Sequence, residues 1–110
     1  MIMNSEENTI IGEWIDMPLN KFKEKLIEEK TPVGVISNMI LLLESQFWDL
    51  YRRKQYFVDK VTRKDSPDYD SAEYEELIQG IYAEMVKIEG KVVYLKKRRN
   101  ELMTKANKKG

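Results

Sequence analysis

The chain has 110 residues, 42% of them apolar and 35% charged, with its nineteen Lys/Arg balanced by nineteen Asp/Glu. That length fits one domain, and a chain so short buries only about 60 to 70% of its unfolded surface, so its margin of stability is expected to be thin. It contains no Cys and no His, which excludes a disulfide framework, a thiolate nucleophile and sulfur-type zinc sites, and removes the commonest general base and metal ligand.

Charge content above the usual ~25% is a mark of long, solvated helices. The longest purely apolar run, residues 39–43, is far short of the ~20 residues that a membrane span needs, and the first residues carry charges where a signal peptide has an apolar core. A cytoplasmic protein with no membrane contact, no cofactor and no metal is expected. The zero net charge hides a split: residues 91–110 hold eight Lys/Arg against the single acid Glu101, a basic handle on an otherwise acidic chain.

In chain order, residues 1–9 are polar and expected to be frayed. Ile10, Ile11, Trp14 and Ile15 form an apolar patch interrupted by Gly12. A short helix is predicted over 18–29, opened by Pro18 and carrying an apolar stripe of Leu19, Phe22, Leu26 and Ile27. Thr31 and Pro32 then read as an N-cap and a first-turn proline, and nothing breaks a second helix over 32–64. Residues 65–70 read as a turn. Asp70 or Ser71 caps a third helix over 71–106, with an acidic first turn and basic last turns that suit the helix dipole. Gly80 and Gly90 lie inside it at about 1 kcal/mol each relative to Ala, so close packing or a bend is expected there.

The strongest signal is periodic. Val33, Ile36, Ile40, Leu43, Phe47, Leu50, Lys54, Phe57 and Val61 follow alternating spacings of three and four, and so do Tyr74, Ile78, Ile81, Met85, Ile88, Val92, Leu95, Arg99 and Leu102. Such spacing is a heptad seam. Folding the chain back at Pro67 pairs the two seams so that partner numbers sum to 135, as in Leu43 with Val92 and Leu50 with Met85. The expected fold is therefore all-α: a long antiparallel, coiled-coil-like helical hairpin with a short N-terminal helix, forming one domain as a three-helix bundle or a dimeric four-helix bundle. Each arm is about 50 Å long. Lys54 and Arg99 intrude on the seam, where they either snorkel outward or set register and oligomeric state.

The two flanks of the seam differ. Gln46, Arg53 and Lys60 face Leu77, Glu84 and Lys91, with Arg53 and Glu84 a charge pair, and this flank is expected to face water. The other flank carries Leu41, Trp48, Tyr51, Val58, Tyr82, Val86 and Val93, too much apolar surface to leave wet. Either the first helix with its Trp14 patch covers it, or a second copy does, which makes these seven residues a homodimer interface.

Two stretches carry partial likenesses to enzyme families. Glu73 and Glu76, three apart on one helical face, resemble the metal-binding helices of the MazG-like nucleotide pyrophosphohydrolases. That likeness implies a magnesium site completed by a second carboxylate motif on a neighbouring helix, but the facing residues 60–64 are basic. Residues 50–65, with Arg52, Arg53, Lys60 and Lys64, resemble part of one helix of the helical chorismate mutases, and the other polar active-site residues have no counterpart. A small helical enzyme of either kind is the third expectation, behind the two binding roles below.

Two binding surfaces remain. Lys91, Lys96, Lys97, Arg98, Lys105, Lys108 and Lys109 could neutralise several phosphates in a weak, sequence-independent nucleic-acid contact; the same residues also simply satisfy the helix dipole. Tyr56, Tyr69 and Tyr94 lie off both packed surfaces, and Arg52, Tyr56, Arg63 and Tyr69 have the composition of a protein-binding hot spot. The expected function is a non-catalytic protein–protein interaction module, in the manner of a small regulator or inhibitor from a phage or mobile element that occludes a macromolecular partner. A nucleic-acid-binding accessory role comes second.

Overall fold

A computed structural model describes residues 12–109, with side chains described through residue 105. The expectation that residues 1–9 fray, and the places of Ile10 and Ile11, lie outside the described residues. The chain is all-α: residues 12–15 form a single helical turn, followed by α1 (Leu19–Glu28), α2 (Val33–Thr62) and α3 (Ala72–Lys109). No strand occurs among the described residues, and α2 and α3 pack together as a helical hairpin.

The helix ends follow local chemistry. Pro18 sits one residue before the helix it was expected to open, its carbonyl accepting from Phe22 N–H at 2.9 Å. α1 stops where Lys30 takes a left-handed φ of 49° and Thr31 N–H returns to Leu26 O at 3.1 Å, an αL-type helix end in which a non-glycine residue bears the strained position. At the start of α2, Thr31 does not cap. Its hydroxyl is buried with no partner, and the first backbone bond runs from Ile36 N–H to Pro32 O. Ser71 does cap α3, its Oγ accepting from Tyr74 N–H at 3.4 Å. Asp70, with φ 59°, is the turn residue, and its N–H donates to Val61 O at 3.0 Å, closing the connection between α2 and α3. α2 ends at Thr62, two residues earlier than predicted, and α3 runs on to Lys109.

The chain divides into two compact units, residues 1–43 with 90–110, and residues 44–89. In the first, the 12–15 turn, α1 and parts of α2 and α3 share a core in which Phe22, Leu26, Ile36, Met39, Leu43 and Leu95 are fully buried and Trp14, Ile15 and Ile40 nearly so. α1 is held against α3 by named contacts. A Cβ at Gly90 lies 3.9 Å from Leu19 Cδ2, Lys23 Nζ stands 5.0 Å over the Tyr94 ring, and the Lys91 ammonium donates to Ile15 O while standing 5.7 Å from the Phe22 ring centroid. These contacts correct two expectations. α1 lies on the side of the seam carrying Met39 and Lys91, the continuation of the flank expected to face water. Tyr94 is covered.

The second unit has only two helices. Its seam points inward as the heptads require, but only Val61, Met85 and Ile88 reach full burial, while Phe47, Leu50, Phe57, Ile78 and Ile81 are half-buried. Phe57 and Tyr74 meet at 5.2 Å between ring centroids. Two helices can shield one stripe of each other and no more. Arg53 and Glu84 do not pair: Glu84 takes Lys87 at 3.4 Å, one turn along its own helix. Of the two glycines expected to mark close packing, Gly90 meets Leu19, whereas a Cβ on Gly80 would meet nothing within 4 Å.

Candidate protein-docking surfaces

The apolar flank of the second unit is open. Trp48 is 53% exposed, Tyr51 39%, Tyr82 54% and Val86 50%, while Val58 is half-buried. Trp48 and Tyr51 lie one turn apart on α2 with their rings edge to face at 5.5 Å. Tyr82 and Val86 lie one turn apart on α3. An edge-to-face pair fixes both rings before any partner arrives, so little side-chain entropy is left to lose on docking. Lys54, the cation in the seam, resolves its position by laying its ammonium 5.6 Å over the Tyr82 ring; the snorkelled head turns toward the apolar flank. In the first unit, Leu41 and Val93 are likewise exposed, at 66% and 61%. The first helix covers none of these six exposed residues.

At the other end of the second unit, Tyr56, Asp59, Lys60, Arg63, Asp65, Ser66 and Pro67 line an open hollow of about 390 Å³. Two of the four residues expected to form a partner-binding hot spot, Tyr56 and Arg63, meet here. Arg52 is turned away into a 2.7 Å bridge with Asp49, and Tyr69, 48% exposed, does not line the hollow. The cations in and around this hollow are internally balanced. Arg63 reaches Asp59 at 3.5 Å and Asp65 at 3.6 Å, and Lys60 reaches Asp68 at 3.8 Å. Lys60 also stands 5.1 Å over the Tyr56 ring, and hydrogen bonding to Tyr56, more than the charge of Asp68, holds its ammonium above the ordinary lysine range. The Asp59–Arg63 and Asp49–Arg52 pairs were readable from their helical spacing. Asp68 was not, because it reaches Lys60 only through the turn.

The basic end of α3 is less uniform than its sequence. Lys91 is half-buried and spent on Ile15 O and Phe22, which removes it from any phosphate-binding set. Arg98 leans on Glu101 at 3.7 Å. Lys97 and Lys105 are exposed along a shallow hollow with Asn100, Glu101 and Thr104. The side chains of Lys108 and Lys109 lie outside the described residues. Glu73 and Glu76 gain no acidic company, since no three Asp or Glu converge to hold a metal ion among the described residues. No helix among them is long and apolar enough to cross a membrane.

Comparison with known proteins adds nothing further. No family model, no curated protein and no solved structure matches this chain.

Proposed function

We propose that the chain is a non-catalytic helical interaction module that works by docking a protein surface onto its apolar flank. The observation that carries this reading is the exposure of three aromatic rings, Trp48, Tyr51 and Tyr82, together with Val86 on a unit built from two helices. Apolar surface of this kind, rimmed by polar groups, is the usual mark of a protein-binding face, and Trp and Tyr are the residues that dominate such faces energetically. The hollow at Tyr56 and Arg63 supplies a second, polar contact at the same unit's turn, suited to register and specificity because its charges are already paired. A small protein with these two surfaces acts by occluding or bridging its partner, as a regulator or inhibitor does.

The test is affinity capture from a lysate of the source cells with the wild-type chain, with Trp48→Glu, and with Tyr56→Ala/Arg63→Ala. Trp48→Glu is expected to lose the captured proteins while keeping its helix content by circular dichroism, and the double variant to weaken capture. Identical capture by all three would sink the reading.

A further inference from the structure

We propose that the outer face of the basic end of α3 binds the phosphate backbone of duplex nucleic acid without reading its sequence. This goes beyond the protein-docking reading and uses no residue of the apolar flank. Every residue it uses lies in one compact unit.

The first observation is how the structure sorts the cations. Residues 96–105 hold five Lys/Arg against the single acid Glu101. Arg98 is spent on that acid at 3.7 Å and, like Arg99, is half-buried. Lys97 and Lys105 are exposed, and neither has an ion pair or hydrogen bond among the described residues. Two cations are therefore available to an incoming anion, and the one carboxylate beside them, which would repel a phosphate, has its own counter-charge.

The second is what lies between the two lysines. Asn100 and Thr104 are exposed and line the same shallow hollow as Lys97 and Lys105. Lysine ammoniums, asparagine amides and threonine hydroxyls are all side-chain donors that proteins direct at phosphate oxygens. Lys97, Asn100 and Thr104 follow the spacing of three and four that keeps side chains on one helical face, with Lys105 at its edge. From Lys97 to Lys105 the helix rises about 12 Å, the span of roughly three to four phosphates of one strand measured along a duplex.

The third is that the helix dipole does not account for Lys97. The attraction of a cation to a helix C-terminus falls off within the last turn. Lys97 stands about three turns before Lys109, where α3 ends.

The face also selects among polyanions. Residues 96–105 include no aromatic ring, and Tyr94, just before them, lies under the Lys23 ammonium, so the face has no platform on which unpaired bases would stack. Nor do its four donors include the bulky apolar side chains that an interfacial helix sinks into lipid. A duplex backbone asks for neither.

Fluorescence anisotropy of a labelled, mixed-sequence duplex, titrated with the full chain from low to physiological salt, tests the proposal. The wild type is expected to bind with log K falling linearly in log salt, and to bind a duplex of unrelated sequence equally well. Lys97→Ala/Lys105→Ala should weaken binding and make the slope shallower by about 1.8, since each phosphate contact contributes about −0.9. Asn100→Ala/Thr104→Ala should weaken binding by about fivefold for each donor lost and leave the slope unchanged, because neutral donors release no counterions. All four positions are exposed, so helix content by circular dichroism should match the wild type in both variants. Trp48→Glu should bind the duplex as the wild type does, which separates this test from the docking-face reading. No binding at low salt overturns the proposal. A wild-type slope in the lysine variant overturns it too, by placing the phosphate contacts elsewhere. Wild-type affinity in the Asn100/Thr104 variant overturns the face, leaving only diffuse attraction between charges. Tighter binding to an unpaired strand or to phosphatidylserine vesicles than to the duplex overturns the duplex as partner.

Discussion

The ammonium of Lys91 donates to the backbone carbonyl of Ile15, seventy-six residues away in sequence. The carbonyl ends the helical turn 12–15, and the same ammonium stands 5.7 Å from the ring centroid of Phe22, one of the fully buried side chains of the first unit. Lys91→Met keeps the stem and deletes the donor, leaving a carbonyl without its charged partner. It is expected to lower stability by about 1–2 kcal/mol, the range for a hydrogen bond to a charged group. Urea denaturation reads the loss, and retention on heparin should not change, because this cation is not available to a polyanion. A drop in heparin retention with unchanged stability would return Lys91 to the basic surface.

Gly80 carries the opposite lesson. It lies mid-helix in α3, exposed, and a methyl group there touches nothing. Gly80→Ala is expected to stabilise the chain by about 1 kcal/mol, through the lower backbone entropy of alanine in the unfolded state. Thermal melts should move up by several degrees. A loss of stability would mean that the helix needs its glycine for a bend or a partner contact.

Thr31 was expected to cap α2 and instead buries an unpartnered hydroxyl. Replacing it with the similarly shaped valine removes a desolvated polar group without opening a cavity, so Thr31→Val should lie between no change and a gain of about 1 kcal/mol. Loss of a cap would cost about 1 kcal/mol instead. The sign of the shift in the denaturation midpoint decides between them.

The Lys60 ammonium is held above its ordinary range chiefly by Tyr56. A cation whose folded pKa is raised contributes stability that is fully present below its unfolded pKa and disappears as pH rises through the folded value. The difference between wild type and Tyr56→Phe should therefore be flat from pH 6 to pH 9 and close only in the alkaline range, above the ordinary lysine value of about 10.5. A difference that changes near neutrality would place its origin elsewhere.

The hairpin was legible because its signal is geometric: a spacing of three and four persists only where one stripe of a helix is shielded, and Ile36, Ile40, Leu43, Met85, Ile88 and Leu95 are shielded as that spacing demands. The seat of α1 was not legible, and the reason lies in two residues. Met39 falls on the flank otherwise marked by Gln46, Arg53 and Lys60, and Lys91 counts as a solvated charge in any pattern, although its ammonium is used inside the fold. A periodic reading assigns a lysine's charge to water; here the charge is spent on a backbone carbonyl and a ring. The hollow at Tyr56 and Arg63 was half legible. Both residues were found from composition, but the acids that balance Lys60 and Arg63 include two from the turn, whose path no periodicity describes. Six of the seven apolar flank residues are exposed, Val58 alone being half-buried, since residues of this kind announce themselves wherever a helix has more apolar faces than neighbours.

Pro67 and Asp70 bear on how copies of the chain can exchange parts. A helical hairpin can open at its turn, straighten into one continuous rod and trade an arm with a second molecule, a low-barrier route to intertwined dimers. Here the turn resists straightening at two points. Pro67 lacks an N–H to donate to the carbonyl one turn back, and its ring would clash there; Asp70 holds a left-handed φ of 59° with its N–H committed to Val61 O. Domain swapping through this turn must overcome both, so an exchange of arms between two copies is disfavoured.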